Sequence, residues 1–530
     1  MKIAQIPFQQ TNFFSKTMIH YLEKDQNIQP FYHNFPDLEG FAKQIKEKKA
    51  LFPGESRKLL SDVLKTQYNG FDASELTLEN IEAIQSENTF TITTGHQLNL
   101  FTGPLYFLYK ILCAINLCEE LSEKFPEQRF VPVYWMATED HDFEEINYFN
   151  FKGSKVVWNR PDGGPVGRFS TEGLGQVLEE FSKHLGSSRN AQFLKELFEK
   201  AYVNHSTLTG ATRYLANELF KEYGLVIVDA DDVKLKKLFA PTVKDELIQQ
   251  TSYRAVSKTI AEFEKNYKVQ VNPREINLFY MTDSLRERII KDEEHYRVND
   301  SEISFTEEQM KTEIENHPER FSPNVIMRPL YQEVILPNLC YIGGGGEMAY
   351  WLELKDYFDS VQIPFPILLL RNSVQVVSEK QAKKLRKLDI SYPEMFLKQH
   401  DLLAKKVMEN SDIQFSFSDA KTLLEQQFLA LQRVAEQTDV SFVGAVNAQQ
   451  TKQLKGLKNL EKRLLRAEKK RNIDLVNRIT DLQNQLLPNH GLEERQRNFS
   501  EYYLEYGEKF ITNLKTSLQP LQLEFTILEL

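Results

Sequence analysis

Asn88-Thr-Phe-Thr-Ile-Thr-Thr94 is a β-branched run that leads, within about ten residues, into Leu105–Leu121, a helical stretch apolar on nearly every side. A helix of that kind must be buried against a sheet, and the sheet's strands must then be covered rather than half-solvated. A second apolar strand, Phe130-Val-Pro-Val-Tyr-Trp-Met136, follows, with further candidates at Leu225–Val228, Ile276–Met281, Val325–Met327 and Ile363–Leu370. Helical stretches at Gln192–Val203, Ala211–Lys221 and Thr282–Ile290 lie between them. This alternation predicts an α/β protein with a largely parallel sheet covered on both faces. The gaps at roughly 151–220 and 240–320 exceed ordinary βα connections, so they read as insertions into a nucleotide-fold core.

The N-terminal stretch adds a helix at Leu38–Ala50, and the pattern changes after Val374. Gln375–Lys387 reads as a charged helix, and Lys421–Val434 and Gln453–Leu487 carry apolar residues at threes and fours. This predicts a long antiparallel coiled coil, interrupted at Arg471 and Asn472, that also offers a dimer surface. Leu523–Leu528 is a final strand that returns to the core. The organisation is therefore core at 1–150, 221–240 and 321–375, insertions at 151–220 and 241–320, a helical domain at 376–500 and a return at 501–530.

The chain has 530 residues, with 36 Phe and 22 Tyr to build a large core. Its formal charge of −10 opposes general attraction to nucleic acid. Nine basic residues crowd Lys452–Arg471, but no aromatics interleave them, so they read as a solvated helix face rather than a single-strand platform. Cys113, Cys118 and Cys340 lack a disulfide or zinc spacing and read as core thiols. No apolar run approaches the roughly 20 residues of a bilayer span, and no leader pattern opens the chain, which predicts a cytoplasmic protein without membrane contact.

Three clusters carry chemistry. Thr94-Gly95-His96-Gln97, with Asn99, follows the first strand, where open α/β sheets bind ligands. His96 could contact phosphate or move a proton, while Thr94, Gly95, Gln97 and Asn99 could orient polar substrate groups. Glu139-Asp140-His141-Asp142 follows the second strand and could bind an amine, hold Mg²⁺, or use His141 as a base. No strict metal-ligand spacing accompanies it, so no tightly bound metal is expected. Gly343–Gly346 expose backbone N–H groups to a phosphate or carboxylate, with Glu347 and Tyr350 on the helix that follows. Arg328, Arg371 and Asn372 follow strand-like segments and are candidates for an anionic substrate.

The stretches TTGHQLNLFTGPLYFLYK (93–110), ATEDHDFEEIN (137–147), GGGGEMAYWLELKDYF (343–358) and PNHGLEERQRNF (488–499) resemble the bacillithiol biosynthesis cysteine-adding enzymes over the whole chain. The resemblance implies a Rossmann-like core with connecting-peptide insertions, a coiled-coil domain, a homodimer, and addition of L-cysteine to glucosaminyl-malate. The connecting-peptide architecture is also similar to class I aminoacyl-tRNA synthetases and pantothenate synthetase, whose HxGH motif binds ATP. Thr93–His96 matches it in the glycine and the second histidine. Amide formation from a carboxylate needs activation, so ATP and Mg²⁺ are expected. On this reading His96, Asp140, His141 and Asp142 are catalytic and Gly343, Gly344, Gly345 and Gly346 bind phosphate. Thr94, Gly95, Gln97, Asn99, Glu139, Glu347, Tyr350, Arg371 and Asn372 then hold substrate. The alternative is a non-catalytic protein that delivers substrate through its helical arm.

Overall fold

The computed structural model describes residues 1–161, 163–292, 295–413 and 415–530. Contacts divide the chain into a larger unit (1–9, 13–375 and 493–528) and a smaller one (10–12, 376–492 and 529–530). The larger unit is built on five strands: β1 (Thr89–His96), β2 (Arg129–Met136), β3 (Val226–Asp229), β4 (Asn338–Gly343) and β5 (Ile367–Leu370). They pair in the order β3-β2-β1-β4-β5, and every pair is parallel. Helix α1 (Tyr106–Lys124) crosses from β1 to β2. Its Cys113, Ala114, Leu117 and Leu121 pack with Phe90, Ile92, Leu339, Ile342 and Leu369 of the strands. Each such large side chain contributes about 1.5–3 kcal/mol on burial. All three cysteines are buried free thiols, as their spacing predicts.

β4 was hidden in the sequence because its apolar run is short and merges into the glycines. Its place beside β1 is fixed by Asn338, whose Oδ1 accepts from Thr93 Oγ1 at 2.8 Å while its Nδ2 donates to Glu333 at 2.6 Å. Lys48 neutralises that buried carboxylate at 2.9 Å. The sheet order reverses between β1 and β4, so the crevice beyond their carboxyl ends is where a ligand is expected.

Four sequence expectations are corrected here. Val325–Met327 is a turn, because Asn324 Oδ1 caps the N–H groups of Ile326 and Met327 and Pro329 favours the helix start that follows. Thr282–Ile290 is not helical. A tight turn, with Thr282 N–H on Leu285 O, feeds the strand Arg286–Asp292, which has partners on both sides. Leu278–Met281 is a strand of this antiparallel sheet, outside the parallel core. Gln375–Lys387 begins as the strand Val374–Val377, and the helix starts only after the Ser378 capping box.

The first inserted region is a β-ribbon (Tyr148–Phe151 with Ser154–Val157) followed by helices Leu174–Leu185, Arg189–Phe198 and Leu208–Phe220. The second comprises helices Val233–Gln249 and Thr251–Phe263 and then the antiparallel sheet. The C-terminal strand Phe525–Glu529 lies beside Lys2–Ile6, which accounts for the return of the chain. In the smaller unit, Ser418–Ala435 and Val440–Arg471 form a helical hairpin around Phe428, Ala435 and Val446. The long helix breaks at Asn472 before Ile473–Leu486 resumes. Among the described residues no helix is long and apolar enough to cross a membrane.

Candidate active site

Strand register sets the site. His96 pairs with Met136, Thr94 with Ile342, and Gly343 with Leu370, so the residues that follow β1, β2, β4 and β5 emerge at one edge. They open onto a cavity of about 700 Å³, a size that suits small-molecule substrates. Among the described residues its wall carries seven Lys and Arg side chains against four carboxylates. An acidic chain has thus gathered a net positive pocket.

The carboxylates come mainly from the loop after β2. Glu139 is paired to the buried Lys236 at 2.8 Å. Asp140 accepts from Gln97 Nε2 at 2.9 Å and from the His141 N–H at 2.8 Å. Asp142 precedes the short helix Phe143–Ile146 without capping it, and its side chain faces the cavity with no hydrogen bond or ion pair among the described residues. The His141 ring has Arg286 Nη1 at 2.6 Å from Nδ1. A guanidinium can only donate, so Nδ1 accepts and the ring proton sits on Nε2. In this arrangement His141 offers a ligand a donor rather than a base. Arg286 is itself held by Ser322 Oγ and Pro323 O and lies over the Phe279 ring.

His96 lines the cavity, and its Nε2 has no hydrogen-bond partner among the described residues. Burial, with help from the Lys110 charge, pushes its pKa down from 6.5 to about 3, so the ring is neutral and acts through a hydrogen bond rather than as a cation. This has a measurable consequence. Between those two values the unfolded chain holds a proton that the folded one refuses, so stability falls as pH drops below about 6.5. A urea titration of His96→Gln at pH 7 and 5.5 should show about 1 kcal/mol less acid destabilisation than wild type. An unchanged pH dependence would contradict a buried neutral ring.

Helix α2 (Gly345–Leu352) starts at the cavity. Its N-cap residue Gly344 donates its N–H to Glu347 Oε2 at 2.8 Å, while the first-turn amides of Gly345 and Gly346 have no intrahelical acceptor. A Cβ at Gly346 would meet nothing within 4 Å, whereas one at Gly345 would press on Met18. Glu347 takes Lys110 at 2.6 Å and Tyr341 Oη at 2.8 Å. Burial opposes its ionisation, but the Lys110 charge prevails and holds it below the ordinary carboxylate value. Lys110 also donates to Gly95 O at 2.8 Å, tying α1 to the end of β1.

Gly95, Gln97, Glu139, Gly344, Gly346, Glu347, Tyr350 and Arg371 thus stand at the cavity with the two histidines, Asp140 and Asp142. Thr94 lies off it, donating to Ile342 O at 2.8 Å as a strand crosslink. Asn99 donates to Glu145 O and Asn372 to Gln519 O, and neither residue lines the cavity. Gly343 ends β4 below the rim, and Gly345 turns toward Met18. Arg371 meets Glu494 in a buried two-pronged pair at 2.7 and 3.1 Å. Sequence reasoning missed Lys110, Arg274, Arg286, Arg288 and Arg495. Arg495 sits in a motif already singled out, but the arginines of the second insertion carry no local signal. Arg328 opens a helix rather than following a strand; it lies over Trp135 and Tyr341, and its Nη2 has no hydrogen-bond partner among the described residues. No group of three or more potential metal ligands occurs among the described residues.

Fold and site together define a Rossmann-like protein with a polar cavity at the point where its sheet order reverses. Residues 1–372 match the family model for the BshC N-terminal Rossmann-like domain of bacillithiol biosynthesis, and residues 374–530 that for its C-terminal coiled-coil domain. The chain belongs to the BshC family, and that membership makes it a ligase. It is 56% identical to "Putative cysteine ligase BshC" of Flavobacterium johnsoniae, covering 99% of both chains. A protein of the same name from Christiangramia forsetii is 54% identical over 99% of this chain and 98% of its own. One from Bacillus mycoides is 29% identical over 84% and 86%.

Proposed function

We propose that this protein joins the carboxyl group of L-cysteine to the glucosamine amine of glucosaminyl-malate, the last step of bacillithiol synthesis. The observation that carries this reading is the division of one cavity between an acidic wall and a basic one. Asp140 and Asp142 suit the ammonium of an amino acid or an amino sugar. The guanidinium groups of Arg274, Arg288 and Arg495, which make no ion pair among the described residues, suit the malate carboxylates or a phosphate.

An ionised carboxylate is a poor electrophile, so the ligation needs activation, which bound ATP with Mg²⁺ would supply. The residues fit a phosphate-bearing group: the Gly346 amide, the Arg328 Nη2 that has no hydrogen-bond partner among the described residues, and the open space at Gly346 suit anionic oxygens. The chain's own residues then do the following. The His96 Nε2 and the His141 Nε2–H hydrogen-bond ligand oxygens or nitrogens. Asp142 takes the proton released by the attacking amine, because among the described residues it is the one cavity carboxylate without a hydrogen-bond or ion-pair partner. Lys110 and Glu347 fix the relation between α1, α2 and the end of β1.

The test is genetic. In a host lacking its own copy of the gene, Asp142→Asn and His96→Ala should abolish bacillithiol while the protein accumulates normally. Wild-type bacillithiol with both variants would favour a scaffold acting through the coiled coil instead.

A further inference from the structure

Between the helix Thr251–Phe263 and the strand Leu278–Met281, residues 268–277 run without helix or strand, yet this stretch puts Asn272 and Arg274 on the cavity wall. An irregular segment of this length needs an external anchor to hold a side chain in one place. The anchor comes from α2. Its C-cap residue Glu353 is fully buried and receives the N–H of Gln270 on Oε1 at 2.7 Å and that of Val271 on Oε2 at 3.1 Å. The far end of the segment is fixed separately. The buried Glu246 accepts the Asn277 N–H at 2.9 Å, and Asn277 clamps Arg274 through both its N–H and its C=O. Arg274 itself forms no side-chain hydrogen bond or ion pair among the described residues, so the place from which its side chain reaches the cavity is set by its clamped backbone.

We infer that Glu353 is a positioning residue: it ties the 268–277 strap to the helix whose first turn faces the ligand, and so holds Arg274 as a cationic contact for the anionic part of the substrate. The identity of that substrate rests on the function proposed above. Because one helix carries both the amides that face the ligand and the carboxylate that holds the strap, the two anion contacts are fixed to the same element.

Two measurements on the full chain test this. The first is amide hydrogen exchange without ligand. In Glu353→Ala the Gln270 and Val271 amides should exchange about 10- to 100-fold faster than in wild type, with β1 and α1 unchanged. Glu353→Gln keeps a single acceptor oxygen and should fall between. The second is calorimetric titration with glucosaminyl-malate, alongside turnover. Glu353→Ala and Arg274→Ala should each raise Kd and KM about tenfold with kcat within about twofold, and the double variant should add nothing to either. Unaltered exchange at 270 and 271 would overturn the inference, as would a Glu353→Ala protein of lowered stability whose Kd is unchanged. Failure of wild type to bind glucosaminyl-malate would instead overturn the ligase reading, and the exchange data would still decide the strap.

Discussion

Asp142→Asn should lower kcat/KM for cysteine transfer by about 10²- to 10⁴-fold while leaving the urea midpoint nearly unchanged. The expectation follows from what Asp142 does not do. Among the described residues its side chain neither caps the helix after it nor pairs with a cation, so amide replacement breaks no hydrogen bond or ion pair there. Asp140 differs, since its carboxylate orders Gln97 and the His141 amide, and its removal should disturb the loop as well as the chemistry. Steady-state kinetics with a parallel denaturation curve separates the two. A D142N protein of wild-type turnover would remove Asp142 from proton transfer.

The second large effect is on stability. Glu494→Gln should destabilise the larger unit by about 3–5 kcal/mol, because it leaves the Arg371 guanidinium buried without its counter-charge. The carboxylate is 1% exposed and the arginine 4%, so water does not replace the lost partner. Glu494 also accepts Ser373 Oγ and the Val374 N–H, each at 3.3 Å, so the loss spreads into the chain beyond β5. Replacing both members, with Arg371→Met and Glu494→Leu, should recover most of that stability. It should not recover ligand binding, since Arg371 also lines the cavity. Urea midpoints for the three variants decide the matter, and a Glu494→Gln midpoint equal to wild type would mean the pair is solvated.

Much of the molecule was legible in the sequence where local pattern and tertiary environment agree. β2 and α1 are apolar and β1 is rich in β-branched residues because all three are buried, and that burial is written directly into Phe90, Ile92, Val131 and Leu117. The polar residues after β1 and β2 reach the cavity because parallel register brings strand ends level. Elsewhere long-range pairing overrode local pattern. Arg286 and Arg288 lie in a segment that reads as helical, yet strands on both sides hold it extended and bring the two arginines to the cavity. Asn372 and Thr94 looked like ligand groups but satisfy backbone carbonyls, a distinction that depends on which way each side chain leaves the strand. The strap and its Glu353 anchor were invisible, since a buried carboxylate is recognised only once the amides it binds are in place.

On the function proposed above, one cavity with acidic and basic walls ligates cysteine to an amino sugar bearing malate. The direct test combines purified protein, synthetic glucosaminyl-malate, L-cysteine, ATP and Mg²⁺, with mass spectrometry of the thiol product and of the nucleotide. The account predicts bacillithiol together with AMP or ADP, and the nucleotide formed tells adenylate from phosphate activation. Folded protein that yields no thiol product under these conditions would contradict it.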